Sequence, residues 1–128
     1  MSDTVWGLYP WFEENGRHLV HSDDYEAIKA LFPYGKVFES VGVEGEYLKL
    51  QYGSQIYRVM PELFHPVPAP VRRFGEVVSA KKGGELISVA IRDIMWHFKE
   101  ERPYFFVTAG NKRLSKRYWA EDFIESPN

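Results

Sequence analysis

The sequence predicts a mainly β fold: two small barrel-like units packed together, with one short N-terminal helix. Three observations carry this. The first is a diverged internal echo. One segment opens Phe32-Pro33-Tyr34-Gly35-Lys36-Val37-Phe38 and closes Tyr57-Arg58-Val59-Met60-Pro61-Glu62-Leu63-Phe64; a second opens Arg72-Arg73-Phe74-Gly75-Glu76-Val77-Val78 and closes Lys116-Arg117-Tyr118-Trp119-Ala120-Glu121-Asp122-Phe123. The second is a series of short β-branched and aromatic runs separated by Gly-containing turns. The third is composition. At 45% hydrophobic and 16% aromatic over 128 residues the chain is too apolar for disorder. A unit of 35 to 50 residues buries too little surface alone, so the halves are expected to share a core.

The elements follow in order. Val5 to Phe12 reads as an aromatic strand that turns at Glu13-Glu14-Asn15-Gly16 and returns through Arg17 to Val20, because Asn-Gly favours a tight hairpin turn. Ser22 or Asp23 is placed to cap a helix over 23–32. Asp23, Asp24 and Glu26 suit the positive end of its dipole, Tyr25, Ile28, Leu31 and Phe32 fall at helical spacing, and Pro33 ends the run. Strands are expected at Lys36–Val41, Tyr47–Tyr52 and Gln55–Val59, then a single 3₁₀ turn at Pro61–Phe64. Prolines at 66, 68 and 70 read as an extended connector rather than strand or helix. The first unit is accordingly 1–67, the connector 68–73 and the second unit 74–128.

The second unit starts with a strand at Phe74–Ala80 and turns at Lys81-Lys82-Gly83-Gly84. Glu85 to Lys99 has two readings. As a helix it aligns Leu86, Ala90, Ile94 and Phe98; as a strand it alternates in two phases that switch near Arg92-Asp93, as a bulge would require. β-branched and aromatic enrichment and the flanking Gly pair favour the strand. A hairpin through Glu100 to Pro103 leads into Tyr104–Thr108, and Arg113–Trp119 is expected to be the last long strand, before a turn at Glu121-Asp122-Phe123.

Five short strands with a 3₁₀ turn before the last is the plan of an SH3-like barrel, and each half has a partial version of it. Through the two echo segments, Ile94-Met95-Trp96-His97-Phe98-Lys99 and His21-Ser22-Asp23-Asp24, the chain resembles a bacterial family of unknown function with tandem SH3-like small-barrel units. The resemblance covers about 100 residues and implies a fold, with no activity or catalytic residues attached.

Charge divides unevenly. Residues 1–70 hold five Lys/Arg against ten Asp/Glu, a net of −5; residues 71–128 hold eleven against eight, a net of +3. Such a split can orient a partner, although many solvated surfaces are uneven without consequence. No apolar run approaches the roughly 20 residues of a membrane-spanning helix, and Met1-Ser2-Asp3-Thr4 lacks the basic start of a secretory leader, so a cytoplasmic location without membrane association is expected. The absence of cysteine excludes disulfides, thiolate metal sites and cysteine nucleophiles.

His18, His21, Asp23 and Asp24 are the right residue types for a divalent metal, but their spacing matches no compact motif and helix capping already accounts for the acids. His65 and His97 lie far away, and a core histidine bonded through one ring nitrogen is the ordinary reading of His97. No nucleophile elbow, phosphate-cradling loop or paired metal-ligand helix is present. No cofactor and no enzymatic activity are expected. Two constellations remain. Trp6, Tyr9 and Trp11 around Pro10 form either a partner-binding patch or the filling between the halves, since 21 aromatic residues exceed what a core of this size easily hides. Lys112, Arg113, Lys116 and Arg117 beside Trp119 have the interleaving of single-stranded nucleic-acid binders. Strand alternation, however, splits them between faces, with Leu114, Lys116 and Tyr118 on one side, and the pI near 6.1 is far from basic. The expected function is a non-enzymatic protein-binding module of adaptor or immunity type; single-stranded nucleic-acid binding is the runner-up, and a hydrolase using His18 and His21 comes third.

Overall fold

In the computed structural model, which describes residues 5–124, the chain divides into two units, Met1–Ala69 and Pro70–Asn128. The reading of Met1-Ser2-Asp3-Thr4 and the last four residues of the second unit lie outside the described residues. Each unit is built on one five-stranded antiparallel sheet, and the fold is mainly β with a single α-helix among the described residues.

The first unit runs β1 (Val5–Leu8), two 3₁₀ turns (Glu13–Asn15 and Arg17–Leu19), α1 (Tyr25–Leu31), β2 (Val37–Glu44), β3 (Tyr47–Tyr52), β4 (Gln55–Val59), a 3₁₀ turn (Pro61–Leu63) and β5 (His65–Val67). Its sheet order is β5-β1-β2-β3-β4. β2, β3 and β4 are consecutive hairpins, and Gly45 and Gly53 take the positive φ values of 59° and 63° that their tight turns demand. β1 pairs with β2 on one side, Leu8 opposite Val37, and with β5 on the other, Gly7 opposite Pro66. A Cβ on Gly7 would lie 2.5 Å from the Phe64 ring and 2.7 Å from the His65 carbonyl oxygen, so only glycine lets β5 close on β1.

Three expectations are corrected here. His65–Val67, read as part of the extended Pro-rich stretch, is a strand, tolerated because Pro66 lies at the sheet edge, where a missing N–H costs no ladder bond. The segment after β1 does not return as a strand. Asn15 turns its side chain back to accept the Phe12 N–H at 2.7 Å, closing a 3₁₀ turn instead of occupying a hairpin, and only Val20 reaches the sheet, bridged to Val59. The helix is shorter than 23–32, spanning Tyr25–Leu31 with Asp24 at its N-cap and Phe32, in the left-handed region at φ 63°, closing its C-terminus through its N–H to the Ile28 and Lys29 carbonyls.

The second unit runs β6 (Val77–Lys82), β7 (Glu85–His97), β8 (Arg102–Ala109), β9 (Lys112–Arg113), a 3₁₀ turn (Ala120–Asp122) and β10 (Phe123–Ile124), in the order β10-β6-β7-β8-β9. Glu85–His97 is a strand, and the register shift between Ile91 and Asp93 is the predicted phase switch. The expected long strand over Arg113–Trp119 is broken. Leu114 and Tyr118 are both buried and both bond to β8, Leu114 through its N–H to Val107 and Tyr118 through a reciprocal pair with Phe105. Unbroken alternation would bury Lys116 with them; instead Ser115, Lys116 and Arg117 are exposed, keeping the ammonium in water. β6 begins at Val77 rather than Phe74 because residues 73–76 form a turn, fastened by the Glu76 carboxylate on the Arg73 N–H at 3.0 Å and on the Arg72 guanidinium at 2.7 Å. Burial would raise that carboxyl, but these bonds outweigh it and hold its pKa below the ordinary value.

Numbered within each unit, both sheets have the order 5-1-2-3-4, both have a register shift in the second strand (Ser40/Gly42 and Ile91/Asp93), and both have a 3₁₀ turn before the fifth strand. The echo closes on equivalent elements but opens out of phase: Gly35 leads into the second strand of the first unit, Gly75 into the first strand of the second. Neither sheet closes through pairing of its outer strands.

Candidate functional site: an aromatic groove and a basic cleft

Trp6, Tyr9 and Trp11 are core residues, which corrects the expectation of a patch there. The Tyr9 hydroxyl lies 3.0 Å from the Leu19 carbonyl and 2.8 Å from that of Met60, and burial pushes its pKa up. Trp11, 1% exposed, packs edge-on against Tyr25 at 5.6 Å and donates its indole N–H to the Gly16 carbonyl at 3.0 Å. These rings anchor the long excursion between β1 and β2.

The exposed aromatics stand on that excursion. Phe12 is 41% exposed, Phe32 65% and Tyr34 43%; the Phe12 and Tyr34 rings stack at 4.9 Å and 30°. With Trp11, Lys29 and Pro33 the two phenylalanines line a groove of about 190 Å³ whose acidic rim is Glu13 and Glu14. Lys29 approaches Glu13 at 2.8 Å, and Tyr25 donates to the same carboxylate. Those hydrogen bonds, Lys29 first, hold Glu13 below the usual carboxylate range. Glu14 has no ion pair among the described residues, so the rim keeps a negative charge. Sequence reasoning missed this groove. Its signal was Phe32-Pro33: an aromatic at the residue that must leave the helix cannot turn into the core.

The acidic pair after the first histidines does not cap the helix through its side chains. Asp24 instead accepts the Arg58 N–H and Nε–H, both at 2.9 Å, and Arg58 reaches Glu44 at 3.1 Å, tying the helix start and the β2–β3 turn to β4. Burial would raise the Asp24 carboxyl, but the Arg58 hydrogen bonds and charge outweigh it and depress its pKa. His21 accepts the Asp23 N–H through Nδ1 and rests on Tyr47. Among the described residues no three His, Asp or Glu converge as ligands.

In the second unit the predicted basic residues separate. Lys112, Arg113 and Lys116 line a cleft of about 410 Å³ together with Lys81, Lys82 and Tyr118, and among the described residues no carboxylate lines it. Lys81 and Lys82, read from the sequence only as a turn, arrive there because the β6–β7 hairpin and the β9 segment border the same depression. Lys116 lies 5.0 Å from the Tyr118 ring. Arg117 and Trp119 belong elsewhere. Arg117 sits over Tyr104 at 5.1 Å, and Trp119 lies under Arg102 at 3.7 Å while Arg102 bonds both oxygens of Glu121 at 3.0 and 2.9 Å. His97, half-buried, contacts Trp119 at 5.3 Å and accepts the Glu100 N–H through Nδ1. An adjoining depression shares Lys81, Lys116 and Tyr118 but adds Glu121 and Asp122, and both acids are already engaged, Glu121 with Arg102 and Asp122 with the Trp119 N–H at 2.8 Å.

No curated protein and no solved structure matches the sequence. A family model, described as a family of unknown function (DUF6960), matches residues 1–124, and the chain belongs to that family.

Proposed function

We propose that the protein is a non-enzymatic protein-binding module of adaptor or immunity type, made of two SH3-like units, and that the groove at Phe12 and Phe32 is where the partner docks. The shared 5-1-2-3-4 order, the bulged second strands and the 3₁₀ turn before each fifth strand support the SH3-like reading. The groove carries the functional one. At about 190 Å³ it is below the roughly 300 Å³ at which drug-sized ligands begin to fit, so it suits a side chain or a prolyl ring better than a cofactor. Exposed rings beside a slot are how small barrels take extended proline-containing segments, whose preformed conformation loses little entropy on docking. The unpaired Glu14 and the −5 charge of residues 1–70 select a segment that also carries Arg or Lys.

The test is fluorescence anisotropy with a short labelled Pro-x-x-Pro peptide flanked by arginine, compared with the same peptide carrying glutamate in place of arginine. Saturable binding by the arginine peptide alone, lost in Phe12→Ser and Phe32→Asn, is the expected result; Asn keeps the left-handed backbone at 32. Equal binding of both peptides, no binding, or binding indifferent to both substitutions overturns the proposal. Single-stranded nucleic acid is the second reading, favoured by the five Lys and Arg side chains that line the cleft of the second unit. It is weakened by Trp119, whose face is already covered by Arg102.

A further inference from the structure

We infer that the cleft of the second unit is a site for a compact, multiply charged phosphate anion, independent of the peptide groove. Five cationic side chains from two segments about 30 residues apart border one depression: Lys81 and Lys82 at the end of β6, and Lys112, Arg113 and Lys116 around β9. Among the described residues Lys81, Lys82, Lys112 and Arg113 make no ion pair, although Glu85 stands opposite Lys82 in the hairpin register. Elsewhere in the same unit arginines are matched: Arg72 with Glu76, Arg92 with Asp93, Arg102 with Glu121. Gathering like charges without counter-charges is unfavourable until an anion arrives, and exposed lysines offer adaptable point charges of the kind phosphate oxygens accept.

Size and layout choose the ligand. A cleft of about 410 Å³ falls in the range of small-molecule sites, which suits a triphosphate or a nucleotide. A nucleic-acid strand needs a track of cations with free aromatic faces along it. Here the cations border a single cleft, and Trp119 and Tyr104 are each already faced by an arginine. Tyr118 is buried, its ring stacked on Phe123 at 5.4 Å and faced by Lys116 at 5.0 Å, so it offers no free platform.

Isothermal titration and thermal melting of the full chain with inorganic tripolyphosphate test this, with sulfate, a nucleoside triphosphate and a single-stranded oligonucleotide as parallel arms. Tripolyphosphate is expected to bind and raise Tm in a concentration-dependent way, as any ligand specific to the folded state does. The double variant Lys112→Gln/Lys116→Gln should bind roughly tenfold more weakly, and Lys49→Gln in the first unit should bind like the parent. The substituted cleft side chains are exposed, and circular dichroism confirms folding of every variant; Lys82→Gln provides a second, separate probe of the same cleft. A nucleoside triphosphate that matches tripolyphosphate identifies the phosphates as the recognised part, while a tighter one adds a base contact. Absence of a Tm shift, sulfate acting as well as tripolyphosphate, or equal binding by parent and cleft variants overturns the inference. Tighter binding of the oligonucleotide, falling steeply with salt, replaces it with the strand reading.

Discussion

The two units share strand order, the bulge in the second strand and the 3₁₀ turn before the fifth, yet differ in what joins their first two strands. In the second unit Lys82 and Glu85 are linked by Gly83-Gly84. In the first, Leu8 and Val37 are separated by two 3₁₀ turns and a helix. The sheet does not require that insert; what it adds is the aromatic groove and its acidic rim. The second unit places its cations at the end of its first strand, beside the Gly83-Gly84 turn, and on and after its short fourth strand. The same ladder thus carries opposite charge through different connections, as expected when the scaffold supplies rigidity and the loops supply recognition.

The largest effect expected from breaking this comparison is at Trp11, which holds the insert to the core. Trp11→Ala should cost about 3–5 kcal/mol by chemical denaturation, as removal of a buried aromatic does. Phe105→Ala, its counterpart in the second unit as a fully buried ring, should cost a similar amount. A loss at Trp11 below about 1 kcal/mol would detach the insert from the core and restore a surface role for that ring.

Strands were legible from sequence where alternation and turn chemistry agreed: Tyr47–Tyr52 and Gln55–Val59 fall where predicted, and the two-phase pattern in Glu85–His97 locates the bulge. The failures have physical causes. Asn15-Gly16 looks like a hairpin turn, but the Asn side chain bonds back to Phe12. Ser22 or Asp23 looks like the cap, but the helix starts after Asp24, whose carboxylate is taken by a partner 34 residues away. Alternation at 114–118 ignores the cost of burying Lys116. The site residues were half legible. Three of the four basic positions line the cleft, whereas Lys81 and Lys82 join it only through tertiary pairing. Among the rings, consecutive Trp11 and Phe12 lie on opposite sides of the surface, a distinction that composition does not contain.

An intermediate effect separates the two aspartates. Asp24→Ala removes a hydrogen-bonded, largely buried carboxylate from Arg58 and should cost about 2 kcal/mol, whereas Asp23→Ala, whose side chain is 75% exposed, should change stability by less than about 0.5 kcal/mol. The pH dependence follows the same tie. The folded pKa of Asp24 is depressed, so its contribution is present above the unfolded value, about 4, and is lost as pH falls from there through the folded value. Denaturation series at several acidic pH values should give Asp24→Asn a shallower loss of stability below about pH 4 than the parent. An unchanged slope would show that the remaining depressed carboxylates, Glu13, Glu76 and Glu121, account for the acid response alone.

The smallest effect is also the sharpest comparison. Among the described residues each unit has one non-glycine residue at positive φ: Phe32 at 63° after α1 and Glu101 at 54° in the β7–β8 turn. A side chain in that region costs roughly 1–2 kcal/mol that glycine avoids, partly offset by the greater freedom of glycine in the unfolded chain. Phe32→Gly and Glu101→Gly should therefore each raise stability modestly, by about 0.5–1 kcal/mol. Their functional consequences should diverge. Phe32 is the most exposed ring of the groove, so its replacement should abolish capture of the arginine-flanked proline peptide even as the fold tightens. Glu101 lies in the other unit, outside both the groove and the cleft, and its replacement should leave peptide binding unchanged. Paired melting and anisotropy measurements on the two variants decide it. If Phe32→Gly gains stability and keeps binding, the strained aromatic serves no recognition and the groove loses its main support.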